Sequence, residues 1–215
     1  MTTKAVVIAT MLLLSWAPQP AFGEPELFVG AKGGANFSWI TGPDWDEDIV
    51  RIFDGDNKGR FGATLGGFVS AVFPSRYGIR VELLYTEHGG RVDGRIGGSD
   101  AEIRVRTVLL DTSFLGERYF DRGPGRVSVF LGPTLLFLQG DILTETRADG
   151  EVLKGGDVPE AEQVFGATGG VGYVLPLGPG ILLLDARYTR GLTGYNRDKA
   201  YDNALTFLVG YGLPF

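Results

Sequence analysis

The last twelve residues set the tightest limit on what this chain can become. Leu205, Phe207, Val209, Tyr211, Leu213 and Phe215 share one parity, while Ala204, Thr206, Leu208, Gly210, Gly212 and Pro214 share the other. Successive residues of a strand point to opposite faces. The segment therefore reads as a strand with one bulky apolar face and one mostly small face. The same split recurs where Phe165, Ala167, Val171, Tyr173 and Leu175 oppose Gly166, Thr168, Gly170 and Gly172. Two further segments place charge on the small face: Arg80 and Glu82 against Ile79, Val81, Leu83 and Tyr85, and Asp185 and Arg187 against Leu182, Leu184, Ala186 and Tyr188.

Eight such segments are predicted, near 26–37, 60–73, 78–88, 101–119, 126–139, 162–175, 180–190 and 203–215. Period-two alternation repeated this often predicts an all-β fold. Which face lies outside then decides the class. A soluble barrel of the lipocalin kind would turn the bulky face inward, into an interior that eight strands scarcely leave room for. The inverse arrangement puts the apolar face to lipid, with glycines and a few charges filling a narrow lumen. Turning Arg187 to lipid instead would cost about 2–4 kcal/mol at mid-depth. The expectation is an eight-stranded antiparallel up-and-down transmembrane β-barrel, with the soluble carrier as its rival.

The amino terminus reads as an export signal. Lys4 supplies a positive end, Ala5 to Trp16 a short apolar stretch, and Ala21-Phe22-Gly23 a small-x-small cleavage site. Residues 1–23 are therefore expected to be a cleaved signal peptide, and residues 24–215 the barrel domain. Loss of Lys4 with that segment takes the formal charge from −6 to −7, a poor balance for nucleic acid. No later run of 18 or more apolar residues exists, so a membrane-embedded form must be a barrel. The chain has no cysteine, which removes disulfides and thiolate metal sites.

Connection lengths agree. Those near 74–77, 120–125 and 176–179 are short and rich in Pro and Gly, whereas those near 38–59, 89–100, 140–161 and 191–202 are long and polar. Short periplasmic turns alternating with long external loops characterise outer-membrane barrels. Aromatics sort by depth into two expected interfacial girdles: Phe28, Phe73, Tyr77, Tyr119, Phe120, Tyr173 and Phe215 toward the short turns, and Phe37, Trp39, Phe61, Tyr85, Phe137, Phe165, Tyr188 and Phe207 toward the long loops. The fourth segment is irregular. Ile103, Val105, Thr107 and Leu109 define one face, but Val108, Leu110 and Phe114 define the other, so a slipped phase, a bulge or a misplaced boundary is expected there.

Two patches carry a family resemblance. Phe28-Val29-Gly30-Ala31-Lys32-Gly33-Gly34-Ala35-Asn36-Phe37-Ser38 resembles the first strand of the PorT-type outer-membrane β-barrel domain family, with its Lys-Gly-Gly-x-Asn core. Val81-Glu82-Leu83-Leu84-Tyr85-Thr86-Glu87-His88-Gly89 resembles that family's third strand, with Val81 where the family has proline. The architecture is similar to the small OmpX and OmpA barrels. A third patch, Phe207, Val209, Tyr211, Leu213 and the final Phe215, is similar to the terminal signal read by the barrel-assembly machinery. The resemblance implies insertion by that machinery, residence in the outer membrane of a Gram-negative bacterium, and no assigned chemistry.

On the inferred lumen face stand Lys32, Arg80, Glu82, Asp185 and Arg187, with Arg104 or Arg106 added if the early phase of the fourth segment holds. Charges removed from water must pair, so an interior salt-bridge network is expected in a lumen plugged by its own side chains. A charged channel lining is the alternative. The single histidine, His88, is expected at the outer rim beside Glu87; neighbours in a strand face opposite ways, so Glu87 is not placed to orient it. A lipid-modifying hydrolase therefore stands behind a non-enzymatic structural or interaction role. The acidic run Asp44, Asp46, Glu47, Asp48, Asp54 and Asp56 lacks the spacing of a calcium loop. No cofactor or metal site is expected. The expected partners are outer-membrane lipids, the assembly machinery and an extracellular ligand of the loops.

Overall fold

A computed structural model describes residues 24–43, 56–96, 99–139, 143–148, 151–155, 163–193 and 201–215. The expected signal peptide and the acidic residues Asp44 to Asp54 lie outside the described residues. Ten strands follow in order: β1 (Glu26–Thr41), β2 (Asp56–Val72), β3 (Tyr77–Ile96), β4 (Ser99–Arg122), β5 (Gly125–Leu138), β6 (Leu143–Ala148), β7 (Glu151–Gly155), β8 (Val164–Leu177), β9 (Gly180–Gly191) and β10 (Tyr201–Pro214). Eight of them, β1–β2–β3–β4–β5–β8–β9–β10, pair antiparallel with their neighbours. β10 then pairs with β1, from Phe28↔Pro214 to Thr41↔Tyr201, and closes the ring. Closure leaves no unpaired edge at membrane depth, where an unsatisfied backbone group costs several kcal/mol.

Tight turns at one end set the register. Gly123 and Gly178 each hold the first central position of a two-residue hairpin with φ of 58° and 60°. Only glycine adopts that conformation there without steric cost, and the following proline fits the second position. The third short turn places Arg76 at φ 64°, with its amide donating to Phe73 O at 2.9 Å.

The opposite end departs from the sequence reading. The regions near 89–100 and 140–161 are expected as polar loops, yet β3 and β4 run on as one ladder to Ile96↔Ser99, β6 adds to β4 through Ala101↔Ala148 to Arg106↔Leu143, and β7 adds to β6. Beyond the lipid the outward face no longer needs to be apolar, so a reading based on apolar alternation stops at the membrane edge while backbone pairing continues. β2 joins this extension through Asp56↔Asp93 to Gly59↔Gly90, after a register shift between Gly59 and Thr64.

The fourth strand has no slip. β4 pairs with β3 and β5 in unbroken register, and Thr107, Leu109, Asp111, Ser113, Leu115, Glu117 and Tyr119 all face inward. The apparent change of phase arises because two inward residues, Leu109 and Leu115, are apolar core rather than lipid-facing. Arg104 and Arg106 consequently lie on the outer face, not in the lumen. Two girdle aromatics are likewise inside: Phe28 and Tyr119 are buried, and with Phe68, Val72 and Leu183 they form an apolar layer near the short-turn end. A second layer, Leu109, Leu136 and Val164, lies toward the other end.

Candidate functional site

Between the apolar layers the lumen is crossed by charge. Lys32 of β1 donates to Glu82 of β3 and, at 2.7 Å, to Asp185 of β9. Arg80 of β3 lies 3.0 Å from Asp185, 3.1 Å from Glu82 and 2.7 Å from Glu117 of β4. Arg187 of β9 pairs with Glu82, and the Tyr119 hydroxyl donates to Glu117. Three cations thus meet three carboxylates, and all six side chains are almost wholly enclosed. Neutral pairing with several contacts per group is what permits such charges to leave water. Two cations also lie over rings, Lys32 Nζ 5.2 Å from the Phe68 centroid and Arg80 Cζ 4.9 Å from that of Phe130, a favourable placement for a desolvated cation.

Glycine makes the room. A Cβ at Gly172 would stand 2.6 Å from Ser128 Oγ and 2.7 Å from Asp185 Oδ1, and one at Gly170 would stand 2.7 Å from the Phe130 ring. Large lumen side chains therefore lie across the bare backbone of neighbouring strands. The small parity of β8 and β10 is the complement of the bulky groups carried by β2, β5 and β9.

Toward the long-loop end the polar filling continues. Ser113, Thr134, Thr168 and Thr189 link β4, β5, β8 and β9 through hydroxyl contacts of 2.9, 2.6 and 2.8 Å. Asn36 Nδ2 donates to Thr64 Oγ1 at 3.1 Å. His88, just above the last apolar row, turns inward: it is 2% exposed, and its Nδ1 faces the carboxylate of Asp202 on β10. Its neighbour Glu87 points outward to Arg106.

The structure places Lys32, Arg80, Glu82, Asp185 and Arg187 together in the lumen. Sequence reasoning missed Glu117, Asp111 and Asp202. The first two sit on the strand whose phase is obscured by Leu109 and Leu115, and Asp202 lies one residue before the predicted start of the last segment. Phe207, Val209, Tyr211, Leu213 and Phe215 form an exposed outward row on β10. Among the described residues, no cluster of three His, Asp or Glu side chains is arranged to hold a metal ion. At the short-turn end a cavity of about 690 Å³ opens beneath the lower apolar layer, lined by Phe28, Val72, Tyr119 and Leu183 among others.

A closed antiparallel ring with aliphatic and aromatic side chains outside and charge inside defines a transmembrane β-barrel. The chain belongs to the outer membrane protein beta-barrel domain family, which it matches over residues 19–195, and it resides in the bacterial outer membrane. It is similar in fold to the outer membrane protein OprG from Pseudomonas aeruginosa (14% identity, 89% of this chain and 97% of that one, TM-score 0.45). Similarity extends to Neisserial surface protein A (16% identity, 90% and 99%, TM-score 0.42) and to Ail of Yersinia pestis (12% identity, 87% and 99%, TM-score 0.37). No curated protein matches the chain.

Proposed function

We propose that this protein is a non-enzymatic outer-membrane barrel whose role is structural or interactive. Its lumen is plugged by its own side chains, and its extracellular strands and loops are the working surface. The observation that carries the reading is the six-member charge network strung from β1 to β3, β4 and β9, with an apolar layer on either side. An eight-stranded interior is wide enough for side chains and little else. The test is planar-bilayer recording of the refolded protein: negligible conductance is expected, and stable open steps would replace the plug with a solute channel.

The enzymatic alternative rests on His88, and its enclosure against Asp202 speaks for a packing role. The finer PorT-type affiliation is proposed on the Lys32-Gly33-Gly34-x-Asn36 and Glu82-Leu83-Leu84-Tyr85 patches alone. Residues 1–23 are proposed as the cleaved leader, which sequencing of the exported protein tests by a first residue of Glu24. Outer-membrane lipid, the assembly machinery and an extracellular ligand of the loops are its proposed partners.

A further inference from the structure

Where β2, β3 and β4 leave the lipid, the outward face changes character within a few residues. The last apolar row is Tyr85↔Leu110, followed by Glu87↔Val108 and then Gly89↔Arg106. Next, Lys58, Arg91 and Arg104 stand side by side on three adjacent strands. Like charges directly opposite in a sheet destabilise it, so such a row calls for negative charge from somewhere. The backbone register continues from Arg104 to Glu145 of β6 and Lys154 of β7.

The protein supplies part of that negative charge. Asp93 lies 2.8 Å from Lys58 and 2.5 Å from Arg91. Hydrogen bonds from Arg91 and then Lys58 hold its carboxyl below the usual carboxylate range. Glu102 is shared by Arg91, at 3.0 Å, and Arg104. Glu87 is shared by Arg106 and, at 3.9 Å, Arg60. Among the described residues at this level, three carboxylates serve Lys58, Arg60, Arg91, Arg104 and Arg106, an excess of two positive charges. A phosphomonoester carries about −1.5 to −2 at neutral pH. Lys58, Arg91, Arg104 and Arg106 remain 41–52% exposed. Asp56, Arg95 and Asp100 lie at the level of Asp93 or farther out.

Height selects the ligand. At ~3.3 Å per residue and a tilt near 40°, the stretch from Tyr77 to Tyr85 rises roughly 20 Å, so an outer-membrane apolar band of about 25 Å ends near the Glu87–Val108 level. The Arg106 level then stands about 10 Å above the Tyr85–Leu110 row, and the Arg91–Arg104 level about 15 Å. The cations therefore face sideways into the headgroup zone of the outer leaflet rather than upward into solvent. We propose that this belt on β2–β4 binds the phosphate groups of the phosphorylated outer-leaflet glycolipid, with Arg91, Arg104 and Arg106 as the principal contacts. This deepens the reading of outer-membrane lipid as a partner by naming its headgroup chemistry and its seat.

The test uses the folded full-length barrel in detergent, offered bisphosphorylated lipid A or its dephosphorylated form and read by native mass spectrometry. The wild type is expected to retain the phosphorylated lipid, with retention falling as salt is raised. R91Q/R104Q/R106Q is expected to hold it about a hundredfold more weakly, and the dephosphorylated lipid is expected to bind both proteins at that weak level. Unchanged retention by the variant, or equal retention of the two lipids by the wild type, overturns the proposal. Soluble heparin binding as tightly as the glycolipid in lipid-free detergent would also overturn it, in favour of a soluble polyanion. Each protein is first checked for a heat-dependent gel shift, so loss of the barrel is distinguished from loss of binding; R104Q/R106Q replaces the triple variant if that one does not fold.

Discussion

Lys32 and Asp185 lie 153 residues apart in the chain and meet at 2.7 Å in the middle of the lumen. The contact ties the first strand to the ninth across β10, so it exists only once the ring has closed. Arg80–Asp185 and Arg187–Glu82 likewise join β3 to β9 only in the closed ring, whereas Lys32–Glu82, Arg80–Glu117 and Arg80–Glu82 lie within the β1–β4 meander. Closure of the barrel therefore completes the plug by bringing Asp185 and Arg187 onto the charges of β1 and β3.

Glu82 is the hub, in contact with Lys32, Arg80 and Arg187. Glu82→Gln leaves three enclosed cations facing two carboxylates, and the expected loss is about 3–5 kcal/mol of stability. Urea unfolding of the reconstituted barrel, followed by gel mobility without boiling, measures it; a midpoint equal to that of the wild type would mean that water reaches the lumen and screens the charges.

Gly172→Ala places a methyl group against Ser128 Oγ and Asp185 Oδ1. The carboxylate has to move, and overpacking of this kind costs about 1–3 kcal/mol. Gly116→Ala is the matched control, because its Cβ would point outward with Leu131 O, at 3.8 Å, the nearest atom. The same unfolding experiment should leave Gly116→Ala near the wild type and lower Gly172→Ala; equal effects would show that chain entropy, not lumen space, explains the glycines.

His88→Ala removes the ring that the Asp202 carboxylate faces. Loss of a buried polar partner costs about 1–3 kcal/mol, so the heat-dependent gel shift is expected at a lower temperature. Acyl-chain composition of membrane lipids is expected to be the same in cells carrying either form. A difference would return the lipid-modifying enzyme to first place.

Phe215 ends the outward row of β10 and is 69% exposed, with its amide donating to Leu27 O at 3.2 Å. Phe215→Ala is expected to refold into vesicles as well as the wild type, because little side-chain packing is lost. In cells, the heat-modifiable fraction in the outer membrane is expected to fall severalfold if the residue belongs to an assembly signal. Equal loss in both settings would assign Phe215 to barrel stability instead.

What the sequence determines by itself is parity. Alternation along the strands that became β3, β8, β9 and β10 is a property of a few neighbouring residues, so the apolar outer face, the small inner face and the class of fold are readable before any contact is known. That logic failed on β4, where Leu109 and Leu115 are apolar and yet inside, because apolarity suits a packed lumen as well as lipid. It failed again at the outer ends of β3 and β4, where Glu87, Arg91 and Arg104 occupy positions that lipid-facing aliphatics hold lower down, and the strands continue unseen. Only the tertiary structure decides which cation meets which carboxylate. It also decides that Glu117 completes the lumen balance, that His88 turns to Asp202, and that Lys58, Arg91 and Arg104 align in one row. Those pairings depend on the register between strands and, for Lys32–Asp185, Arg187–Glu82 and His88–Asp202, on the closure of the ring, and no local pattern of residues encodes either.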